Sequence, residues 1–148
     1  MPQPRARNPA EPRWEHYSHG ADVGIRGIGA SLAQAFEGIG LALTAAVTDL
    51  ANIAPAQRVE IHCAAPGPED LLYEWVNALV YEMATKHLLF GQFKVQLTDS
   101  ELSGEAWGEP LDTARHQPAV EVKGATYTDL SIAEGPPGTW IAQCIIDV

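Results

Sequence analysis

Two stretches of this chain repeat their apolar residues at intervals of three and four, and most of the remainder repeats them at every second position. That contrast constrains the fold more than any single residue. A period of 3.6 lays one apolar stripe along a helix, and a period of 2 gives a strand one apolar face. In the first stretch Leu32, Phe36, Ile39, Leu43 and Val47 follow Ser31. Ser31 and Gln34 have the spacing of a capping box, in which each side chain satisfies a free backbone N–H of the first turn. Gly38 and Gly40 weaken such a helix by about 1 kcal/mol each relative to Ala, which is reasonable where another backbone must come close. The second stretch opens at Pro66-Gly67-Pro68-Glu69-Asp70. Proline at a first helical position and acids in the first turn both suit a helix N-terminus. Leu72, Trp75 or Val76, Leu79, Val80 and Met83 form its stripe, and Lys86 and His87 fall in the last turn, where positive charge is favoured. Both stripes read as core faces.

The period-2 segments flank these helices. Trp14, His16 and Ser18 alternate with Glu15 and Tyr17, and Val23, Ile25 and the run to Gly29 make a second strand. Val59, Ile61 and Cys63 alternate within 58–64, and Phe93, Val95 and Leu97 alternate after Leu88. Asp99-Ser100 predicts a hairpin turn into a strand over 101–107; 108–118 reads as a polar loop. Strands are expected over 120–128 and 130–134, then a turn at Gly135-Pro136-Pro137-Gly138 and a last strand over 139–148. No repeat, low-complexity tract or internal linker interrupts this order. It predicts an α+β fold of two layers, a mixed or antiparallel sheet with two main helices packed on one face. The 148 residues fit one domain over 13–148, behind a proline-rich flexible tail over 1–12 that holds Arg5 and Arg7 but no apolar segment of a secretory signal.

Nine Lys and Arg against nineteen Asp and Glu give a formal charge of −10. Phosphate backbones demand clustered Lys and Arg, so strong direct binding of nucleic acid is excluded. A basic protein partner or a bound cation suits the charge, and so does simple solubility. Two cysteines, Cys63 and Cys144, make neither a disulfide framework nor a paired zinc motif; they read as small buried hydrophobes in a reducing compartment. No apolar run approaches the roughly 18 residues that cross a bilayer. The expected location is the cytoplasm.

Chemistry-bearing residues gather in two places. His16-Tyr17-Ser18-His19-Gly20-Ala21-Asp22 lies between the first two strands, where ligand-type side chains would be fixed by strand ends. Asp and Gly here are equally ordinary turn residues. Asp147 and the α-carboxylate of Val148 place two anionic groups at the other end of the chain. Were Asp22 to come near them, three carboxylates would converge, which requires a cation or proton between them. Oxygen donors of that kind match calcium, magnesium or manganese rather than zinc. A solvated strand end is the alternative for Asp147. A transition-metal site of His16, His19 and Asp22 is disfavoured, because alternation sends the two rings to opposite faces. Lys123, beside Glu121, is either a phosphate or partner contact or part of a solvated face. Asp112, Arg115 and His116 form either a buried polar network or a partner surface.

Five motifs, in order, resemble the archease family, small accessory proteins of RtcB-type RNA ligases. The family's H-T-A-D-x-G-I stretch is matched by His19-Gly20-Ala21-Asp22-Val23-Gly24-Ile25. Its D-L-L-x-x-W-L-N-x-L-like run is matched by residues 70–79, and its G-E-P-x-D-x-x-R-H loop by Gly108 to His116. Its E-V-K-x-x-T-Y run is matched by Glu121, Val122, Lys123, Thr126 and Tyr127, and its final D-[IV] by Asp147-Val148. The likeness runs from about residue 14 to the end. Gly20 replaces the Thr of the first motif, and Thr128 replaces the His that commonly follows Thr-Tyr.

The resemblance implies an activator rather than an enzyme, with a role in tRNA splicing and RNA repair. The partner ligase joins a 2′,3′-cyclic phosphate or 3′-phosphate end to a 5′-hydroxyl with GTP and Mn²⁺. The activator promotes its guanylylation and multiple turnover, and would meet tRNA only through it. Residue by residue, the likeness assigns Asp22, Asp147 and Val148 to a divalent metal, calcium foremost, with His19 and Lys123 as contacts to partner or phosphate. A small metal-dependent phosphohydrolase is the enzymatic alternative, with no nucleophile motif or phosphate-cradling loop in its favour; a general acidic chaperone is the third.

Overall fold

The computed structural model describes residues 11–148. The order is β1 (Arg13–His19), β2 (Asp22–Gly29), α1 (Leu32–Val47), β3 (Gln57–Ala64), α2 (Pro68–Lys86), β4 (Leu88–Leu97), β5 (Glu101–Pro110), α3 (Thr113–His116), β6 (Gly124–Ala125), β7 (Ser131–Glu134) and β8 (Trp140–Asp147). A 3₁₀ turn, Leu50–Asn52, follows α1. The α+β architecture is as expected, with two main helices against antiparallel strands. The strands, however, form two sheets rather than one. β1-β2-β8-β6 is the first, with β7 also on β8, and β3-β5-β4 is the second. Every ladder among the described residues is antiparallel.

Helix α1 packs against both sheets. Ser31 caps it, its hydroxyl accepting from Gln34 N at 3.2 Å, while Gln34 Oε1 accepts from Ala30 N at 2.8 Å. Toward the first sheet, Gly38 lies on the β1–β2 hairpin and meets the Arg13 carbonyl and Gly27. A Cβ on Gly27 would run into the Ala35 carbonyl of the same helix. Toward the second sheet, Gly40 lies under the Phe93 ring, and Thr44 Oγ1 donates to Phe90 O at 2.7 Å. The glycines that weaken the helix therefore sit where neighbours approach from both sides.

Helix α2 buries Leu71, Leu72, Trp75, Val76, Leu79 and Val80. Trp75 and Val76 are both fully covered, so the stripe is wider than expected from spacing. The Trp75 indole donates to Phe36 O at 3.0 Å, which locks α2 to α1 and satisfies a buried donor. His87 lies beyond the last turn as a left-handed C-cap, φ 53°.

Two expected boundaries shift. β5 continues to Pro110, and Asp112 caps the short α3 by accepting from Ala114 N and Arg115 N, so the expected loop over 108–118 is largely regular. Conversely, the strand expected over 120–128 is reduced to Gly124–Ala125. Its backbone bonds are shared out: Lys123 N donates to Asp147 O, Ala125 N to Asn77 Oδ1 and Thr126 N to Ile145 O. Period-2 alternation does not reveal that split. The first ten residues of the expected tail lie outside the described residues.

Candidate functional site

The first sheet aligns the residues singled out above along one end. β1 and β2 are joined through Gly20-Ala21, with His19 paired to Asp22. Gly20 has φ +59°, the glycine-first pattern of a type II′ hairpin turn. The β2–β8 ladder ends at Val23 paired with Ile146. The same register carried one step further sets Asp22 opposite Asp147. On the far side of β8, Gly124 pairs with Asp147. Residues opposite one another share a face of the sheet, so His19, Asp22 and Asp147 project from the same face. Val148 follows at the strand end, partly buried against the core.

Directly opposed like charges are unfavourable unless compensated. Neither Asp22 nor Asp147 forms an ion pair among the described residues. Lys123 reaches this row through its backbone, donating to Asp147 O at 2.8 Å, and forms no ion pair among the described residues. His16 is on the other face: its Nε2 donates to Ala42 O of α1 at 2.7 Å. It therefore anchors the helix and does not join His19 and Asp22. Among the described residues no three His, Cys, Asp or Glu side chains converge as metal ligands. The β2–β8 register, carried one step past its last pair, sets two carboxylates opposite one another. The donor set is all oxygen, which fits a hard cation.

A second polar cluster is built around Glu109, whose role the sequence does not reveal. The carboxylate accepts from Arg115 Nη1 and Nη2 at 2.9 and 2.6 Å, from Ala54 N at 2.8 Å, and lies 3.0 Å from His116 Nε2. Arg115, then the Ala54 amide, then His116 push its pKa down to about 2. Asp112 N donates to His116 Nδ1 at 2.9 Å, and Thr48 Oγ1 to His116 O at 2.5 Å. Asp112, Arg115 and His116 thus join one polar network with Glu109, in which His116 and Glu109 are buried while Asp112 and Arg115 remain exposed. The signal available was Glu109 six and seven residues before Arg115 and His116, across a turn. Cys63 and Cys144 are free; burial pushes their thiols up to about 11 and about 12, which leaves them inert at neutral pH. No described helix is long and apolar enough to cross a membrane.

The model of the archease protein family matches residues 14–148. Protein archease of Pyrococcus furiosus is 39% identical over 140 residues, covering 92% of this chain and 99% of that protein. Protein archease of Sulfolobus acidocaldarius is 36% identical over 138 residues, with the same coverage. Among solved structures, the solution structure of protein 1598 of Methanobacterium thermoautotrophicum superposes with a TM-score of 0.76 at 30% identity, over 91% of this chain and 98% of that one. The crystal structure from Thermotoga maritima described as an archease and possible chaperone gives 0.54 at 17% identity, over 99% of this chain and 100% of that one, a likeness of fold.

Proposed function

The chain belongs to the archease family, and on that premise we propose that it is an accessory protein of an RtcB-type RNA ligase. In this reading it promotes guanylylation and multiple turnover of the ligase and performs no catalysis itself. The observation that carries the reading is the β2–β8 register, which one step past Val23 and Ile146 sets Asp22 opposite Asp147, neither with an ion-pair partner among the described residues. Together with the α-carboxylate of Val148 they would hold a divalent cation, calcium foremost, with magnesium or manganese as alternatives. When bound, such an ion supplies a positive centre to which phosphate oxygens can be drawn.

The protein's own part is positional. The β2–β8 ladder ends one residue short of both aspartates and so sets them at the ends of two interior strands, and a tight turn at Gly20 closes the β1–β2 hairpin there. A narrow acidic end can enter a basic cleft, and a charge of −10 speeds its approach. His19, at the same end, and Lys123, one residue before the strand that flanks Asp147, would touch the partner or a phosphate there.

The test is multiple-turnover ligation by the cognate ligase, with and without this chain. Asp22→Ala should abolish stimulation while the thermal melt stays within a few degrees of the parent protein. Undiminished turnover with that variant refutes the reading. Phosphate release by the isolated chain would favour a phosphohydrolase instead.

A further inference from the structure

A half-buried tyrosine and an exposed one stack where α2 meets the segment after β6. Tyr73 of α2 and Tyr127, two residues past β6, stack with ring centroids 4.2 Å apart and planes 10° from parallel. Tyr127 is 65% exposed, the most exposed large hydrophobic residue among those described. Tyr73 covers one side of its ring. A stacked, rigidly held tyrosine offers a flat aromatic face to a planar cation.

The platform is held rigidly. Asn77 lies one turn after Tyr73 on the same helix face, and its Oδ1 accepts from Ala125 N at 3.0 Å. Thr126 N and Thr126 Oγ1 both donate to Ile145 O, at 2.9 Å each. These bonds fix the backbone on the N-terminal side of Tyr127 to α2 and to β8. Asp70 lies three residues before Tyr73 and four before Glu74, so it neighbours both along α2, while Glu74 directly follows Tyr73. Both are exposed, and neither has an ion-pair partner among the described residues. Partial desolvation, then Tyr73, Asp70 and Glu74, raise the pKa of the Tyr127 phenol, which places those carboxylates within electrostatic reach of the ring.

We propose that the Tyr73–Tyr127 stack, with Asp70 and Glu74 at its rim, is a docking site for an arginine side chain of a basic protein partner. A guanidinium is planar, stacks on an aromatic face and bonds carboxylates in a fork, so one group satisfies both halves of the site. Lysine matches only the charge. A nucleobase matches only the ring, because its phosphates would meet two carboxylates on a chain of charge −10. β6 pairs with the last residues of β8, so the segment that carries Tyr127 is tied to the strand that ends in Asp147. An arginine seated here would orient that end against the partner. This role for the site rests on the ligase reading above; its preference for guanidinium does not.

The test has two arms, both on the full chain. In the first, hexa-arginine, hexa-lysine and oligouridine are titrated against it, with the Tyr127 ring resonances followed by NMR. Hexa-arginine should bind about fivefold tighter than hexa-lysine. Tyr127→Phe should keep that preference, Tyr127→Ala should remove it, and Asp70→Asn with Glu74→Gln should weaken both peptides. Equal binding of the two peptides, or stronger binding of oligouridine through Tyr127, overturns the proposal. In the second arm Tyr127→Ala is titrated into ligation by the cognate ligase. The concentration for half-maximal stimulation should rise about tenfold with the plateau retained. An unchanged midpoint overturns the docking role while the ligase reading stands. Absence of stimulation by the parent protein defeats the ligase reading, and the peptide arm then decides the site by itself.

Discussion

At the scale of single residues, neighbours in sequence serve opposite ends. His16 and His19 are three residues apart on one strand, yet His16 fastens α1 and His19 stands in the row with Asp22. Gly20 is a conformational choice as much as a lost hydroxyl. Its φ of +59° lies in the left-handed region, where a Cβ is strained even though no neighbouring atom would touch it. Restoring the threonine of the resembled motif, Gly20→Thr, should therefore cost about 1–2 kcal/mol in urea unfolding. Two further outcomes belong here. Residues appended after Val148 should weaken calcium affinity, read by isothermal titration calorimetry, with the thermal melt unchanged; normal affinity would mean that Val148 is no ligand through its terminus. Cys63 and Cys144, with thiols pushed up by burial, should resist iodoacetamide at pH 8 in the folded protein and react fully in urea.

At the scale of elements, α1 does most to join the molecule. It meets the first sheet through Gly38 and Gly27 and the second through Gly40, Thr44 and Glu37, whose Oε2 accepts from Val95 N at 2.9 Å. Desolvation raises the pKa of that carboxyl group, as expected for an acid held between layers. Gly27→Ala should be more damaging than the usual Gly→Ala exchange, because the new methyl group meets backbone and cannot be relieved by a rotamer change. A loss of about 2–3 kcal/mol is expected by urea unfolding. Ser31→Ala should cost about 1 kcal/mol through the lost N-cap. A Gly27→Ala protein as stable as the parent would show that the helix can lift off the hairpin without penalty.

At the scale of the whole molecule, the Glu109 network ties distant pieces together: the end of β5, α3, the segment after α1 through Ala54 and Asn52, and Thr48. Its carboxylate titrates near 2 in the folded chain against an ordinary value of 4.5. A depressed carboxylate stabilises the fold above its unfolded pKa, and that contribution is lost as pH falls through the folded value. Stability should thus decline from about pH 4.5 toward pH 2. Glu109→Gln should lower the melting temperature at pH 7 and flatten the decline, seen in melts taken across that range. An equally steep acid transition in the variant would assign it to other carboxylates.

The amino-acid order by itself determined the two main helices, the strands other than the one reduced to Gly124–Ala125, and which residue types could meet an oxygen-loving ion. Periodicity and capping are local, and each is encoded within a few neighbouring positions. Tertiary structure alone decided that the strands divide into two sheets about α1, that Glu109 is the centre of its network, and that Tyr73 stacks on Tyr127. It also decided that the β2–β8 register sets Asp22 opposite Asp147, 125 positions apart along the chain. Register and sheet membership arise from which buried faces fit together across long loops, and alternation marks a face without marking its partner.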